Sequence, residues 1–525
     1  MAADLEGVFR DASMRAKEEL ETICLEEIHK LGISKTHSDL LGSHTVVTYP
    51  PLDALEPVNG EALFSDISFQ PLVDAYMHIP YCEYPCEFCP YTTLNVAGPS
   101  ANKMPDYFEA LQKEITTWAL KLQKQNAKVR SLYVGGGTPF IIPTEQLESI
   151  LSFAFKTLPF SEHPEICVET SPRATMQQDA QKKLEMLKAY GITRMSIGIQ
   201  TFDFESLRDM ARTYRGHSAE DEEMAVRALL NSGIPNVNID MIQDMPLKSK
   251  DYLERLKRDL FKVAELKPQH VTWYNMRLRP ETTYARRDIR MVTEKESLHT
   301  RLAIWNFMES IGYLVLEGDR FALAETFDDN FRKTRGSVET DLLGIGVSAY
   351  SHVRVESLRE RMFQAFFQNP RVTGGAVRAD SKKATETYID AVKKNGHAIS
   401  TGFFFGADEH LAGKLALGLK RGVPCEEIHE PCAWDPECGG YLDFVLNPSE
   451  DLLKAGLLRI DDGVVGFTRK GRLFENEVCA RFYTPTVRYL AHKKRGTLDK
   501  ETEERFHGYA SRQLMDAIQA EQKAF

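Results

Sequence analysis

Between residues 71 and 290, short apolar runs alternate with longer segments whose apolar residues recur every three or four positions. The runs are VDAYMHI (73–79), VRSLYVGGG (129–137), EICVETS (165–171), RMSIGIQ (194–200), NVNIDMI (236–242) and HVTWYNM (270–276). Each is rich in β-branched or aromatic residues and short enough for a buried parallel strand. Between the first two runs, Phe108, Leu111, Ile115, Trp118 and Leu122 keep a 3, 4, 3, 4 spacing behind Pro105 and Asp106, which predicts a crossover helix. Six such units in series predict an α/β fold, a partial (β/α)6 barrel with its active face at the C-terminal strand ends.

The pattern differs on either side of that region. Residues 1–70 read as a helical extension, with Leu20, Ile23, Cys24, Glu27 and Ile28 in three-to-four spacing before the Pro-containing stretch TYPPLDALEPVNGE, and we expect a lid or clamp. After about 290 the alternation fades, although LLGIGVSAYSHV (342–353) still reads as a strand entering a turn. We place the barrel at 71–375 and a C-terminal unit at 376–525, where EDLLKAGLLRIDDGVVGFTRKGRL gives the helix–turn–strand–turn order of a small winged-helix-like α+β domain.

Charge narrows the partners. Lys plus Arg total 65 against 76 for Asp plus Glu, a formal charge of -11, which argues against a nucleic-acid binder. No run approaches the roughly 20 apolar residues of a membrane span, and the opening MAADLEGVFRDASMRAKEELE is charged, so a cytoplasmic protein without membrane contact is expected. The nine cysteines are too few and scattered for a disulfide framework. Cys24, Cys167 and Cys479 sit in apolar periodic segments and are expected as small buried hydrophobes. Cys425, His429, Cys432 and Cys438 are spaced 4, 3 and 6 apart, which matches no standard zinc or ferredoxin pattern, and read as a loop.

The exception is YMHIPYCEYPCEFCPYTT (76–93), in which Cys82, Cys86 and Cys89 form C-x3-C-x2-C directly after the first strand. An incomplete zinc site is one reading, but no partner C-x2-C pair follows. Three thiolates on one loop suit three irons of a cubic cluster and leave the fourth iron open to a non-protein ligand. His78, within the strand, is expected to order that loop by hydrogen bonding.

YMHIPYCEYPCEFCP, followed in order by LYVGGGTP, SIGIQTF and NIDMI, resembles the radical S-adenosylmethionine (SAM) enzymes, in the HemN-like branch typified by oxygen-independent coproporphyrinogen III oxidase. The resemblance covers about residues 71–360 well and the C-terminal unit more loosely. It implies a 4Fe-4S cluster on Cys82, Cys86 and Cys89, and SAM, in two molecules on our reading. Tyr76 and Glu169 become candidate catalytic residues. For SAM the resemblance implies Phe88 and Ile242 near the adenine, Gly135, Gly136, Gly137 and Thr138 along the methionine, and Glu169 on its ammonium or a ribose. Gln200 and Asp240 fall at the ribose and Arg212 at the methionine carboxylate, with Arg208 and Arg215 as nearby decoys. Met276 is placed at a second SAM, and Tyr350 on the substrate side.

Two departures shape the expected reaction. Porphyrinogen-decarboxylating members carry a further cysteine where this chain has Tyr91, in Pro90-Tyr91-Thr92, and the usual GLP after the fifth strand reads Asp244-Met245-Pro246. Both move the expectation toward the related class C methyltransferases and cyclopropanases. The expected function is one-carbon transfer (C-methylation or cyclopropanation) from a second SAM to an sp2 carbon of a natural-product or peptide substrate. The electron donor would be of flavodoxin or ferredoxin type. The alternatives are haem-related radical SAM activity (anaerobic haem degradation or coproporphyrinogen-type decarboxylation), a haem chaperone, and a radical isomerase or dehydrogenase that consumes one SAM per turnover.

Overall fold

In the computed structural model, the described residues are 4–35, 46, 48–83, 86–213, 217–245, 252–277, 282–287, 291–323, 337–355, 371–375, 381–405, 407–429 and 449–509. The six apolar runs form six strands: β1 (Leu72–Ile79), β2 (Lys128–Gly136), β3 (Phe160–Thr170), β4 (Arg194–Gln200), β5 (Asn236–Gln243) and β6 (His270–Asn275). They pair in parallel in chain order. Helices cover them, so β1 is buried at six of its eight positions and reads as a nearly continuous apolar run. The helices around the sheet include α1 (Leu5–Glu21), α2 (Met104–Lys124), α3 (Tyr252–Leu266), α4 (Glu294–Ser310) and α5 (Ser381–Asn395), of which α1 packs on α4 and α5 on α2. The spacing read from the sequence is the buried face of α2, where Phe108, Leu111, Ile115, Trp118 and Leu122 all face the sheet.

The sheet is larger than six strands. After β6 comes a hairpin, β7 (Tyr313–Glu317) and β8 (Arg320–Leu323), with β8 antiparallel to β6. The 342–353 run is two strands, β9 (Asp341–Ile345) and β10 (Tyr350–Val355). β9 pairs parallel to β1, making a seventh parallel strand, and β10 turns back antiparallel. β11 (Arg371–Gly375) and β12 (Thr401–Phe404) extend this edge, so the sheet runs on across residue 375. The C-terminal unit carries a separate three-stranded sheet of Val423–Pro424, β13 (Leu458–Asp461) and β14 (Val464–Phe467). Its Asp462-Gly463 turn takes positive φ at both residues, as a tight hairpin demands.

The N-terminal extension departs from the sequence reading. α1 lies along α4, where the fully buried Ala12 and Ala16 permit close approach, and Arg15 donates to Asn306 O (3.3 Å) and Ser310 Oγ (3.0 Å). The helix breaks at Thr22, so Cys24 is the exposed N-cap of a second short helix rather than a core residue. Cys167 and Cys479 are buried. No described helix is long and apolar enough to cross a membrane.

Two buried carboxylic acids fasten this frame. Glu114 of α2 accepts from Tyr388 Oη of α5 (2.7 Å) and from Gly346 N after β9 (2.8 Å). Asp259 of α3 accepts from Phe202 N (2.7 Å) and Thr201 Oγ1 (3.0 Å) after β4. Burial pushes each up to about 7. Each therefore holds its proton in the folded chain over a range where the unfolded chain has lost it. Folding stability falls as pH rises from the ordinary carboxylate range to about 7 and stays lower above it. Glu114→Gln removes its share, on the order of 2–3 kcal/mol. In urea unfolding the variant should gain on the parent between about pH 5 and pH 8. A stability difference that does not change with pH would refute the assignment.

Candidate functional site

Parallel pairing fixes which side chains share a face. Tyr76 lies opposite Tyr133, His78 opposite Gly135, Glu169 opposite Ser196 and Gly198 opposite Asp240. The strand ends and the loops beyond them enclose a cavity of about 440 Å³, within the range of small-molecule sites. All three loop cysteines line it, with Tyr76, Phe88, Gly136, Gly137, Thr138, Glu169, Gln200, Arg212, Asp240, Ile242, Met276 and Tyr350.

The cysteine loop is held by backbone as much as by side chains. Leu94 N donates to Pro80 O (2.6 Å), Val96 N to Cys82 O (2.8 Å), Cys89 N to Cys86 O (3.0 Å) and Thr138 N to Tyr81 O (2.7 Å). His78 Nε2 meets Thr92 O at 3.2 Å and its Nδ1 meets Tyr76 Oη at 3.2 Å, so the strand histidine ties the far end of the loop to the sheet. The three thiols are unpaired by disulfide. Burial, reinforced by the neighbouring thiols, pushes Cys89 up to about 12 and Cys82 well upward. Metal binding to cysteine displaces the thiol proton, so iron would bind there with proton release. Among the described residues no three His, Cys, Asp or Glu side chains are gathered as one ion would need. A cubic cluster asks for one thiolate per iron, which spaced cysteines on one loop supply. The residues fit such a cluster.

Arg212 is a cation that faces this loop. Its Nη1 donates to Cys86 Sγ (3.3 Å) and its Nη2 to Gly198 O (2.6 Å). Burial opposes its charge, but the Cys86 sulfur and the Glu83 carboxylate outweigh that and its pKa is raised. Gln200 stands beside it in left-handed backbone (φ 70°), where β4 and β5 slip register between Gly198 and Gln200. The Gln200 amide folds back over Gly198, leaving no room there for a Cβ. Arg208 points outward at 63% side-chain exposure, and Arg215 lies outside the described residues.

Two acids line the floor. Glu169 accepts from Tyr133 Oη (2.8 Å) and Gly136 N (3.2 Å). Asp240 accepts from Ser196 Oγ (3.0 Å) and Asn238 Nδ2 (2.9 Å), and Asn238 accepts in turn from Thr272 Oγ1 (3.0 Å). Each is oriented from beneath by the strands beside it. The triple glycine is explained by packing: a Cβ at Gly135 would lie 2.7 Å from Glu169, one at Gly136 2.5 Å from the His78 ring, and one at Gly137 2.5 Å from Tyr81 O. Gly135 therefore sits behind Glu169 rather than at the cavity wall, where only Gly136 and Gly137 appear.

Phe88, Ile242 and Met276 form one apolar patch with Leu207, Met210, Met245 and Tyr284. Met276, expected at a second SAM, thus belongs to the same apolar patch as Phe88 and Ile242. The Asp244 substitution also becomes intelligible. It keeps the left-handed turn (φ 63°) that a glycine would adopt freely, and accepts from Ser297 Oγ and Asn275 Nδ2, each at 2.6 Å.

Several cavity residues escaped the sequence reading. His217 and Glu222 pair at 3.0 Å in nearly full burial, Ser171 bonds Glu83, and Val46 brings the N-terminal extension to the wall. The i, i+5 spacing of His217 and Glu222 at a helix start was the available signal. Cys432 and Cys438 lie outside the described residues.

Gly136 offers a test of the loop's support. Its φ is +107° and its Cβ position is filled by His78, so Gly136→Ala combines backbone strain, of about 1–3 kcal/mol, with displacement of the ring. After anaerobic reconstitution the variant should keep its far-UV circular dichroism yet retain under half the parent's iron. Parental iron content would show that the loop does not depend on this contact.

Residues 76–260 match the model of the radical SAM superfamily. The chain is 27% identical to oxygen-independent coproporphyrinogen III oxidase of Escherichia coli K12 over 437 residues, 80% of this chain and 86% of that protein. It is 23% identical to the heme chaperone HemW of Bacillus subtilis over 413 residues, 78% of this chain and 98% of that one. The solved structure of the Escherichia coli coproporphyrinogen III oxidase HemN superposes with a TM-score of 0.67 at 24% identity, covering 83% of this chain and 96% of that one, and has the same fold. Over residues 76–260 the chain is thus similar to the radical SAM superfamily, and over about four-fifths of its length it is similar, at about 25% identity, to proteins of the HemN/HemW-like branch.

Proposed function

We propose that this chain is a SAM-cleaving enzyme that acts on a haem-related tetrapyrrole. The observation that carries this reading is the extent of the similarity. It spans about 80% of the chain, far beyond residues 76–260, and so reaches outside the radical SAM core toward the parts that wall the cavity. Both named relatives handle haem or its precursor.

Cys82, Cys86 and Cys89 would hold a 4Fe-4S cluster, which when bound would supply the electron for reductive cleavage of SAM. The chain's residues do the rest. Arg212, already facing Cys86, offers a fork to the methionine carboxylate. Glu169, fixed by Tyr133 and Gly136, accepts from the ammonium, and Asp240, fixed by Ser196 and Asn238, accepts from ribose hydroxyls with Gln200. Phe88, Ile242 and Met276 present the apolar surface an adenine needs. Tyr76, stacked on Tyr133 at 6.2 Å, and Tyr350 close the substrate side and exclude water. The electron comes from a flavodoxin- or ferredoxin-type donor.

A second reading is one-carbon transfer from a second SAM, favoured by Tyr91, which lines the cavity where decarboxylating members carry a cysteine. One experiment separates the readings: anaerobic turnover with methyl-deuterated SAM and haemin or coproporphyrinogen. Substrate-dependent 5'-deoxyadenosine without deuterium, and without S-adenosylhomocysteine, supports radical chemistry on the tetrapyrrole. Deuterium in 5'-deoxyadenosine transfers the case to one-carbon chemistry. Stable haemin binding without 5'-deoxyadenosine indicates a chaperone.

Two variants test the roles. Replacing Cys82, Cys86 and Cys89 by Ala should abolish bound iron, and retained iron would refute the ligand assignment. Arg212→Lys should keep the cluster but lower 5'-deoxyadenosine formation at least tenfold, because an ammonium cannot grip a carboxylate in two places. Unchanged formation would remove Arg212 from SAM binding.

A further inference from the structure

Beyond β6 the chain returns to the cysteine loop. Residues 282–287 form a self-ordered turn, in which Ala285 N donates to Thr282 Oγ1 (3.3 Å), Arg286 N to Thr283 O (3.2 Å) and Arg287 N to Tyr284 O (3.2 Å). From this turn Tyr284 N donates to Glu87 O (3.0 Å). The Tyr284 ring, 3% exposed, belongs to the apolar patch on which Phe88 packs. Glu87 lies between Cys86 and Phe88, so the turn grips the cysteine loop beside the residue that faces the cavity.

Arg287 adds a second hold. Its Nη2 forms an ion pair with the Glu87 carboxylate, its Nη1 donates to Asp209 O (3.0 Å), and its guanidinium stands 5.5 Å from the centre of the Tyr284 ring. Asp209 ends the short helix Phe204–Asp209, where carbonyls lack a helical partner. The chain from there to Arg212 is closed as a Schellman turn. Arg212 N donates to Leu207 O (2.9 Å) and Ala211 N to Arg208 O (3.1 Å), with Ala211 in left-handed backbone (φ 56°). A grip on Asp209 O therefore reaches Arg212 through hydrogen-bonded backbone. One guanidinium joins the residue before Phe88 to the turn that carries Arg212, and its planar fork serves both acceptors at once, as the point charge of a lysine cannot.

Such a clasp contributes little to folding: Arg287 is 42% exposed, and an ion pair in that setting is screened by water. Its geometry matters more. On the reading above, Phe88 and Arg212 face opposite ends of SAM, the adenine and the methionine carboxylate. A ligand recognised at two ends binds tightly only where the two subsites are held at the separation it spans. We propose that Arg287 is a positioning residue that sets the separation of Phe88 and Arg212, so that both ends of SAM are bound at once. The proposal rests on that placement of SAM.

The test is anaerobic equilibrium dialysis of the full-length reconstituted protein against SAM and against two fragments that each carry one end, methionine and 5'-deoxyadenosine. Arg287→Gln and Arg287→Lys should keep the parent's iron content and far-UV circular dichroism. Each should weaken SAM binding by about tenfold or more while changing the binding of either fragment by less than about threefold, because the subsites persist and only their spacing is lost. Unchanged SAM binding overturns the proposal. So does weakening of the fragments as large as that of SAM, which would mean that Arg287 supports the subsites themselves. Loss of iron also overturns it, since Arg287 would then be a prop of the cysteine loop. A reconstituted parent that binds no SAM overturns the placement on which the proposal rests, and that outcome is read before any variant is made.

Discussion

The imidazole of His78 rests where a side chain at residue 136 would be, against backbone that only a glycine adopts at ease. This contact joins the two strands at the centre of the site. It holds the ring so that one nitrogen reaches Tyr76 and the other the carbonyl of Thr92, beyond the last cysteine. The loop is thereby tied at its far end as well as where it leaves β1. Tyr107 Oη donates to His78 O (2.6 Å) from α2, the helix that carries Glu114. Cluster loop, first crossover helix and sheet are thus parts of one hydrogen-bonded assembly.

Much of this was legible in the sequence because its signals are local. Six apolar runs gave six strands with ends within a few residues of those observed, apart from β3, whose start at Phe160 includes the polar stretch SEH that no periodicity marks. The cysteine loop and the strand-end positions were equally visible, since strand ends and loops are where the motifs lie. What stayed hidden depends on distant parts of the chain. β9 joins β1 across more than 260 intervening residues, and no short window reports such a pairing. His217 and Glu222 drew no reading from the sequence, because only packing from elsewhere in the chain buries the pair. Asp244 looked like a loss of glycine until its three partners, from β5, β6 and α4, came into view.

The electrostatics are organised against the average of the chain. A protein of formal charge -11 lines one corner of its cavity with Arg320, Lys420 and Arg421, and places Arg212 at the cysteine loop. Acids in the same cavity are held by neutral donors, Tyr133 for Glu169 and Ser196 with Asn238 for Asp240. Donors of this kind fix a carboxylate's direction without neutralising it.

The uninterrupted ladder from β1 through β9, β10, β11 and β12 joins the barrel to the chain beyond residue 375. Such a join is stiff, for bending it means breaking backbone hydrogen bonds in series. It also has an evolutionary side. A unit hung on a linker can be exchanged whole between proteins, whereas one whose first strand completes its neighbour's sheet must change in step with it. Diversification on this scaffold is thus expected residue by residue along the cavity wall, as at Tyr91 and Asp244, and not by trading C-terminal units.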